Sequence, residues 1–514
     1  MKVLLISVQK NLNILGLKLL HKILLLNGHE SVLLYLTRFN IENNKMLEAL
    51  EGFVRELSPE WVGISLTASE FRSAKDVTLF LKNKFTSFPI IWGGIHPTSA
   101  PLRCAQYADY LCIGEGEKSI LDVCRAINDG KSLKTVNNMA WLDGKELIRN
   151  PLNPLIEDLD SLPYVPRLTP NAFILYKDKV HLLTKKLYTK HSAFNGGIYR
   201  IVSSRGCVYN CTYCVNSVFP KLYEKWRIRW TSPERMVDEI SAGVSEELPL
   251  LFVSILDDNF FAQKMETLER FFYLYKQKVA KPFIALGSPN FVNEEKIKVA
   301  VDAGLASLHI GLQTGSEQIC KDIYKRSFLS GRYKKIGEII HKYPIVPYYD
   351  VICDNPYETE EDEINTVKML TELPKPYFFL LYSLTLYEGT ELREKVEKEK
   401  PEYLHDDTEK DFLTTANTPL NLLKQFAAIY PKFFVNYLLK IYQKKPEGLY
   451  TKAIIKLSKL MCITIAQPII FLWILLRFNR YSIKNFVKSL PNFLDIRLFH
   501  IFGHFHTNKD TTLE

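Results

Sequence analysis

The sequence lacks several features that would place it in a specialised class of protein. Hydrophobic residues make up 47% of its 514 positions and charged residues 24%. This ordinary globular composition excludes wholesale disorder, a collagen-like repeat and a polytopic membrane protein. Since domains commonly contain roughly 100 to 200 residues, the length predicts a protein of about three domains.

Cysteine is also scarce. The nine cysteines are odd in number, their spacing does not form a disulfide framework, and a chain of this length does not need one. The apolar run at residues 1–8 is too short for the hydrophobic region of a signal peptide and lacks a cleavage site. We therefore expect a cytoplasmic protein in which Val3–Ser7 forms a first buried strand.

The positive charge is confined to the C-terminal region. Residues 415–514 contain 14 basic and 4 acidic residues, a net charge of +10, whereas the first 414 positions carry about −1. Leu460–Leu476 has no charged residue, but it is near the lower limit of about 17 to 25 residues for a membrane span, and Pro468 interrupts it. This pattern favours contact with an anionic membrane surface, with a buried terminal helix as the alternative. Long apolar runs interrupt the basic charge, so we expect no nucleic-acid partner.

The first 130 residues alternate short apolar strands with amphipathic helices. This alternation predicts an α/β fold with a parallel sheet and helices on both of its faces. Ligands of such sheets bind beyond the carboxyl ends of the strands, where small residues allow close approach to the backbone. The predicted strand ends carry these small or polar candidates: Ser65, Thr67, Gly93, Gly94, Pro97, Thr98, Gly114, Glu115 and Gly116.

A proline-containing connector separates this region from a second α/β repeat. Six strand–helix units in the second repeat predict a partial or full barrel, with its chemistry at the carboxyl ends of the strands. We therefore divide the chain into an α/β domain at 1–130, a linker at 131–195, a barrel at 196–395, and a basic, apolar and mostly helical region at 396–514.

Three cysteines follow the first strand of the second repeat with the spacing C-x3-C-x2-C: Cys207, Cys211 and Cys214. Thiolates in one tight loop can hold an iron–sulfur cluster, and three of them leave one iron of a four-iron cluster open to a small molecule. A zinc site with a distant fourth ligand or three unrelated core cysteines are the alternatives, although zinc sites usually contain paired ligands. The other six cysteines have no cluster spacing and read as small buried residues.

This cysteine loop resembles that of the radical S-adenosylmethionine (SAM) enzymes. The resemblance implies a [4Fe–4S] cluster on the three cysteines, with SAM chelating the open iron. Tyr213 matches the family's aromatic position before the third cysteine and becomes a SAM-binding candidate. Reductive cleavage of SAM would give methionine and a 5′-deoxyadenosyl radical, with an electron donor such as flavodoxin or ferredoxin.

Two other strand ends supply further SAM-binding candidates. Asp257 and Asp258 follow the second strand of the repeat, where the family often holds the SAM amino group. The common glycine-rich form is absent here, and a helix N-cap is the alternative. The segment after the fourth strand is similar to a family motif near the adenine and methionine moieties of SAM, with a turn into a capped helix as the alternative. Its candidates are Gln313, Gly315, Ser316 and Glu317.

The first domain resembles the cobalamin-binding domain that precedes one large class of these enzymes. The matching segments are Gly93–Thr98 and Gly114–Glu117, followed by the linker motif Leu159–Pro163. The resemblance implies a Rossmann-like domain that binds cobalamin (B12) through the strand-end residues given above. The Asp-x-His-x-x-Gly motif is absent, so we expect no histidine ligand to cobalt, with His96 structural or near the nucleotide tail. A domain that keeps the fold but lacks the cofactor is the alternative.

Together the motifs predict a cobalamin-dependent radical SAM enzyme that modifies an unactivated carbon, with no further catalytic residue assigned. In the methylating version, cobalamin carries a methyl group from one SAM, and the radical from a second SAM abstracts hydrogen from the substrate. The basic, apolar C-terminal region favours a lipid-like or isoprenoid substrate and a peripheral position on the inner face of the membrane. A non-methylating radical oxidation or cyclisation is one alternative. A cobalamin- or redox-sensing protein without turnover is another.

Overall fold

The computed structural model describes residues 1–327, 331–446 and 448–461. The chain forms two compact units. The first contains residues 1–251 and 386–410, and the second contains residues 252–385 together with the chain from 411 onward. The first unit is therefore built from two separate stretches of sequence.

A nine-stranded sheet forms the centre of the first unit. Its strands are β1 (Lys2–Ser7), β2 (Glu30–Tyr35), β3 (Trp61–Ser65), β4 (Ile90–Gly93), β5 (Tyr110–Cys112), β6 (Met139–Asp143), β7 (Glu146–Arg149), β8 (Ala172–Tyr176) and β9 (Lys179–Leu182). Their order in the sheet is β7-β6-β5-β4-β3-β1-β2-β8-β9. The central strands from β5 to β8 pair in parallel, whereas β6, β7 and β9 pair antiparallel with their neighbours.

Helices accompany this sheet, and its strands are buried on both faces. The helices are α1 (Leu15–Leu26), α2 (Asn44–Leu57), α3 (Phe71–Lys84), α4 (Ile95–Ser99), α5 (Pro101–Cys104), α6 (Glu117–Asn128) and α7 (Lys185–His191). Side chains alternate between the two faces of a strand, and Leu4 and Ile6 of β1 join one apolar cluster while Val3 and Leu5 join another. Two separate cores are expected for a parallel sheet covered on both faces, so the predicted α/β class is confirmed.

The stretch 131–195, expected to be a connector, contributes four strands to this sheet. β6 and β7 form a hairpin at one edge, and β8 and β9 form a hairpin at the other. The first hairpin turns at Gly144, which has φ +61°, and the second turns at Lys177 and Asp178, which have φ +50° and +57°. Positive φ at both central residues is typical of tight hairpin turns.

The first unit continues with short elements around the cysteine loop. These are β10 (Ile198–Ile201), β11 (Ser204–Arg205), α8 (Phe219–Leu222), β12 (Arg229–Trp230) and α9 (Pro233–Ser245). β11 and β12 pair antiparallel, with Arg205 opposite Arg229. This pairing brings two arginines together at the start of the cysteine loop.

Residues 386–410 return to the first unit and are anchored there by Arg103. Its guanidinium lies 2.9 Å from the carboxylate of Glu388, 2.6 Å from that of Asp406 and 3.4 Å from that of Asp407. It also lies 4.7 Å from the ring centre of Phe71. Three carboxylates and an aromatic face thus share one cation.

Parallel strands in sequence order form the second unit. Its strands are β13 (Phe252–Ile255), β14 (Phe283–Gly287), β15 (Leu305–Gln313), β16 (Val346–Cys353) and β17 (Phe378–Ser383). The helices that follow in the chain are α10 (Met265–Lys278), α11 (Glu294–Ala303), α12 (Arg332–His341), α13 (Glu360–Glu372), α14 (Glu391–Glu399), α15 (Pro419–Ile429), α16 (Lys432–Lys444) and α17 (Leu449–Met461). α14 belongs to the first unit. This β/α succession matches the predicted barrel-type repeat, and α15–α17 match the predicted helical C-terminal region.

Within residues 1–327, 331–446 and 448–461, no helix combines the length and apolar character that crossing a membrane requires. Apart from Leu460 and Met461 at the end of α17, the apolar run Leu460–Leu476 lies outside the described residues.

Candidate active site

The three cysteines of the C-x3-C-x2-C motif lie on a loop that begins directly after β11. Gly206, which precedes the first cysteine, has φ +100°, a conformation that favours glycine. The backbone N–H of Cys214 donates to the carbonyl of Cys211 at 3.0 Å, so the last two cysteines share a tight turn. Cys211 is buried and the other two are half-buried.

This donor set fits an iron–sulfur cluster by its chemistry, because thiolates are the usual protein ligands of such clusters. Within the described ranges, no three His, Cys, Asp or Glu side chains are already gathered as metal ligands. The fit therefore rests on the presence of three cysteine side chains and on their position in a single loop. Ligation by Cys207, Cys211 and Cys214 stays a prediction.

An ion-pair cluster connects the start of this loop with the segment Gly114–Glu117. Arg205, two positions before Cys207, lies 3.1 Å from the carboxylate of Glu115 and also contacts the carboxylate of Glu117. Arg229 donates to both oxygens of Glu115, at 2.8 and 3.2 Å. Two arginines thus hold one carboxylate, with Glu117 as a second acceptor; we call these four residues the arginine–glutamate cluster.

The electrostatics of the arginine–glutamate cluster keep Glu115 ionised. Burial alone would raise the pKa of Glu115, but hydrogen bonding from Arg229 and the charge of Arg205 outweigh burial and place the pKa below its ordinary value. The backbone N–H of Ile156 also donates to Glu115, at 3.0 Å. A carboxylate with three such donors fixes the loop that carries it.

Gly114 is pressed against Tyr223. The glycine has φ +78°, and a Cβ added to it would lie 2.1 Å from the Tyr223 hydroxyl. The next backbone N–H, that of Glu115, donates to the same hydroxyl at 3.1 Å. Only glycine fits at position 114, because a side chain would collide with Tyr223 and would also have to adopt a left-handed conformation.

The two glycine-containing segments that we predicted to bind cobalamin meet at Thr98. Its hydroxyl donates to the carbonyl of Gly94 at 2.8 Å and accepts from the backbone N–H of Gly114 at 3.1 Å. Gly94 has φ +100°, and a Cβ there would lie 2.9 Å from the carbonyl of Leu66. The structure therefore brings Gly94, Thr98 and Gly114 together at the ends of β4 and β5.

The other cobalamin candidates lie around this junction. Ser65 and Gly93 end neighbouring strands and are paired in register. Thr67 and Glu70 form a capping box at the turn that follows β3, Pro97 is buried within α4, and Gly116 directly precedes α6. Contact with cobalamin stays a prediction for each of these residues.

His96 is buried beside this junction. Its ring packs edge-on against Phe71, with the ring centres 5.4 Å apart, and its Nε2 has no hydrogen-bond partner among the described residues. Burial lowers its pKa to about 4. The imidazole is therefore neutral near pH 7 and packs within the domain core.

The SAM-binding candidates are divided between the two units. Tyr213 is half-buried within the cysteine loop of the first unit. In the second unit, Asp257 is buried and Asp258 is exposed, and both follow β13. SAM binding by these three side chains stays a prediction.

The segment Gln313–Glu317 makes a turn after β15. Gln313 has φ +70°. A Cβ on Gly315 would lie 2.6 Å from the backbone of α13. The backbone N–H of Gly315 donates to the Thr366 hydroxyl at 2.8 Å. The Ser316 hydroxyl accepts from the N–H of Ile319 at 3.2 Å, whereas Glu317 is exposed. Gly315 and Ser316 thus have the packing and capping contacts of the alternative interpretation, and SAM contacts stay predictions.

Three side chains that organise the site are not among the candidates predicted from the sequence: Arg205, Tyr223 and Arg229. Arg205 stands in the cysteine motif itself, so its position was a usable signal. Tyr223 and Arg229 lie in no motif, and they reach Glu115 across 108 and 114 positions of sequence. Their roles became visible only in the fold.

Comparison with known families agrees with this arrangement. The sequence matches the B12 binding domain over residues 1–123 and the Radical SAM superfamily over residues 201–370. The chain belongs to the radical SAM enzymes that carry a B12-binding domain. For this B12-domain radical SAM enzyme, the predicted fold class and enzyme class are confirmed, and the predicted cofactor types agree with the two matched families.

Two curated relatives and one solved structure resemble this B12-domain radical SAM enzyme. An uncharacterised methyltransferase of Pyrococcus horikoshii is 25% identical over 344 residues, which cover 66% of this chain and 70% of the relative. The anaerobic magnesium-protoporphyrin IX monomethyl ester cyclase of Cereibacter sphaeroides is 23% identical over 342 residues, covering 63% of this chain and 51% of the cyclase. This chain therefore spans about half of the cyclase.

The structural neighbour is the radical SAM methyltransferase TsrM of Kitasatospora setae, solved with cobalamin and a [4Fe–4S] cluster bound. It superposes with a TM-score of 0.62 at 17% identity, covering 77% of this chain and 75% of TsrM. This likeness shows a shared fold.

Proposed function

We propose that this enzyme uses cobalamin, a [4Fe–4S] cluster and SAM to transfer a methyl group to an unactivated carbon. The observation that carries the proposal is the arginine–glutamate cluster. It joins the residue two positions before the first cysteine to the glutamates of the B12-domain segment Gly114–Glu117. A methylase of this type needs both cofactors in one active site. The arginine–glutamate cluster supports such a site because it fixes the cysteine loop and the segment Gly114–Glu117 within one unit.

The chain's own residues would divide the work as follows. Cys207, Cys211 and Cys214 would hold the iron–sulfur cluster, and the segments Gly93–Thr98 and Gly114–Glu117 would hold cobalamin. When bound, these groups supply the electron that cleaves SAM and the carrier for the methyl group. The protein contributes position and shelter from water, and Glu115, held by two arginines, keeps the B12-domain loop in place.

A non-methylating radical reaction is the second candidate. The likeness to the magnesium-protoporphyrin cyclase favours it, because that relative is named for a ring closure. The likeness to the Pyrococcus methyltransferase extends over a larger share of that relative and favours methylation. The two reactions differ in what becomes of SAM, which provides the test.

The test is to measure the SAM products of the full chain after anaerobic reconstitution with iron, sulfide, cobalamin and a strong reductant. We expect both 5′-deoxyadenosine and S-adenosylhomocysteine, the latter only when cobalamin is present. Deoxyadenosine alone would overturn methylation in favour of non-methylating chemistry. Cys211→Ala should abolish both products and cluster iron, whereas Cys124→Ala, a buried cysteine of α6 outside the motif, should keep both.

We further propose that the substrate is apolar, lipid-like or isoprenoid, and that the C-terminal region contacts an anionic membrane surface on the cytoplasmic side. Several large apolar side chains of α16 and α17 support this, because they are exposed: Phe433 (76%), Tyr437 (50%), Leu449 (88%), Tyr450 (63%), Leu457 (58%) and Leu460 (59%). Exposed apolar patches of this kind commonly mark interaction surfaces.

Lysines accompany these apolar side chains, as in segments that bind anionic lipid. Co-sedimentation of the full chain with vesicles of phosphatidylserine and phosphatidylcholine at low salt tests whether the C-terminal region binds an anionic membrane. We expect binding that weakens as salt rises and that falls in a Phe433→Ser/Leu457→Ser variant. Equal recovery with purely zwitterionic vesicles would contradict the proposed contact with an anionic surface.

The electron for SAM cleavage would come from a flavodoxin- or ferredoxin-type donor.

A further inference from the structure

Three aromatic rings stack across neighbouring strands of the second unit. His309 of β15 lies 4.5 Å from Tyr348 of β16, with the rings 8° from parallel, and Tyr348 lies 4.9 Å from Phe378 of β17. These residues are paired in register. We call His309, Tyr348 and Phe378 the aromatic row.

The aromatic row lies on the sheet face opposite the buried side chains of the same strands. Leu308 and Ile310 of β15 and Tyr349 of β16 are fully buried, and the Tyr349 hydroxyl lies near Gly337 of α12. Since side chains alternate along a strand, the neighbours His309 and Tyr348 point away from that helix. Both side chains are half-buried, unlike the fully buried side chains of the opposite face.

Asp350 continues this face, two positions after Tyr348 on β16. Its Oδ1 is buried and has no hydrogen-bond partner among the described residues. Burial raises the pKa of Asp350 to about 7, against the opposing charge of Arg326. Burial raises the pKa of Tyr348 and of Tyr382, and the charge of Asp350 adds to the rise in both. A buried polar atom without a partner is costly, and native proteins seldom keep one without a use.

Two other carboxylates lie further along the same stretch of chain. Asp354 accepts hydrogen bonds from Ser383, Asn421 and the N–H of Ala416. Glu358 accepts from the Thr314 hydroxyl at 2.7 Å through one oxygen, whereas its Oε2, like Oδ1 of Asp350, is buried without a partner among the described residues. Asp350 differs from Glu358 because it lies on the same strand face as the aromatic row.

We infer that the aromatic row and Asp350 form a binding site for the substrate, and that this site takes a flat, unsaturated carbon skeleton carrying one hydrogen-bond donor. The stacked rings offer a planar apolar surface, and the Asp350 carboxylate accepts the single donor. This combination of an apolar wall and one directed polar group is typical of small-molecule sites. The inference rests on the proposed function for calling the ligand a substrate, but it names a binding preference that can be measured without turnover.

The test uses two matched probes, 2-naphthol and 2-methoxynaphthalene, which share a flat skeleton and differ in the hydroxyl donor. Their affinities for the full chain, reconstituted with cluster and cobalamin, are measured by anaerobic equilibrium dialysis. We expect 2-naphthol to bind at least about tenfold more tightly, as a hydrogen bond to a charged acceptor allows. This preference should grow from pH 6 to pH 8, because the carboxylate form of Asp350 accepts the donor and becomes dominant over that range.

Asp350→Asn should shrink both the preference and its pH dependence. Glu358→Gln is the matched control, because it removes a second buried carboxyl whose pKa burial also raises to about 7, and it should leave both unchanged. Equal binding of the two probes, binding of neither, or an undiminished preference in Asp350→Asn would each overturn the inference. These outcomes are independent of SAM products, so a failure of methylation and a failure of this site are told apart.

Discussion

Arg229 donates to both carboxylate oxygens of Glu115, at 2.8 and 3.2 Å, and its side chain is only 2% exposed. A buried guanidinium loses its hydration, and here the carboxylate of Glu115 compensates its positive charge. The pair joins residues 114 positions apart in the sequence. The conformation of the B12-domain loop therefore depends on a strand that lies beyond the cysteine motif.

Glu115→Ala should destabilise the first unit strongly. Removing one partner of a buried ion pair typically costs about 3–5 kcal/mol, because the remaining charge is left uncompensated. The measurement is urea unfolding of the full chain, followed by tryptophan fluorescence. Glu157→Ala is the control, because its pair with Arg227 is exposed and exposed pairs contribute little. Equal midpoints for the two variants would contradict a supporting role for the pair.

Gly114→Ala should lower stability more than Gly130→Ala. Both glycines have positive φ, +78° and +64°, so both substitutions share the cost of a left-handed alanine, roughly 1 kcal/mol. Only position 114 adds a collision with the Tyr223 hydroxyl, since a Cβ at Gly130 meets nothing within 4 Å. Thermal melts of the two variants measure the difference. The difference in melting temperature should narrow when Tyr223→Ala is added to Gly114→Ala. An unchanged difference would argue against the collision with Tyr223.

Lys18 should make stability rise with pH. It is fully buried in α1, its ammonium donates to the carbonyl of Arg167 at 2.8 Å, and burial lowers its pKa to about 7. The unfolded chain, with an ordinary lysine pKa near 10.4, binds more protons than the folded chain between these values. Folding stability therefore increases as pH rises from 7 toward 10.

The check is to compare the free energy of unfolding at pH 7 and pH 9 in the parent and in Lys18→Met. The rise in the free energy of unfolding from pH 7 to pH 9 should be smaller in Lys18→Met than in the parent. Lys22→Met, on the same helix, should show the same rise as the parent. If the parent and Lys18→Met respond equally to pH, the lysine is not the source.

Arg205→Gln should weaken cobalamin binding, because it releases Glu115 and Glu117 on one side of the B12-domain loop. Arg205→Lys, which keeps the charge but cannot form the same forked contacts, should give an intermediate affinity. Absorbance titration with hydroxocobalamin measures each affinity without turnover. Lys185→Gln, which removes an exposed ion pair with Glu247 elsewhere in the first unit, is the control. Identical titrations of the parent, Arg205→Gln, Arg205→Lys and Lys185→Gln would show that Arg205 does not support this loop.

The elements predicted best are those whose own sequence is decisive. Trp61–Ser65 is a short apolar strand between polar turns, and it lies where the pattern places it. The apolar pattern alone predicts a strand over Ser307–Ile310, whereas β15 extends over Leu305–Gln313. His309, Gly311 and Gln313 lie on the less buried face of β15, and polar or small residues on that face obscure the apolar pattern of the strand.

The hairpins within 131–195 were missed for a different reason. Lys177 and Asp178 adopt positive φ in a tight turn that usually selects asparagine and glycine, so tertiary pairing overrides local preference there. In the site, spacing alone identified the three cysteines. It could not identify Tyr223 or Arg229, whose significance depends on contacts that only the fold creates.

The return of residues 386–410 to the first unit bears on how this enzyme can be dissected. A fragment ending at Leu251 would leave Arg103 without Glu388, Asp406 and Asp407, and would strip the contact at which the carbonyl of Ser99 abuts Gly389. We therefore expect a fragment ending at Leu251 to be less stable than the first unit with both of its stretches. An excised version would require the two stretches to be fused by a designed linker, or co-expressed as complementing fragments.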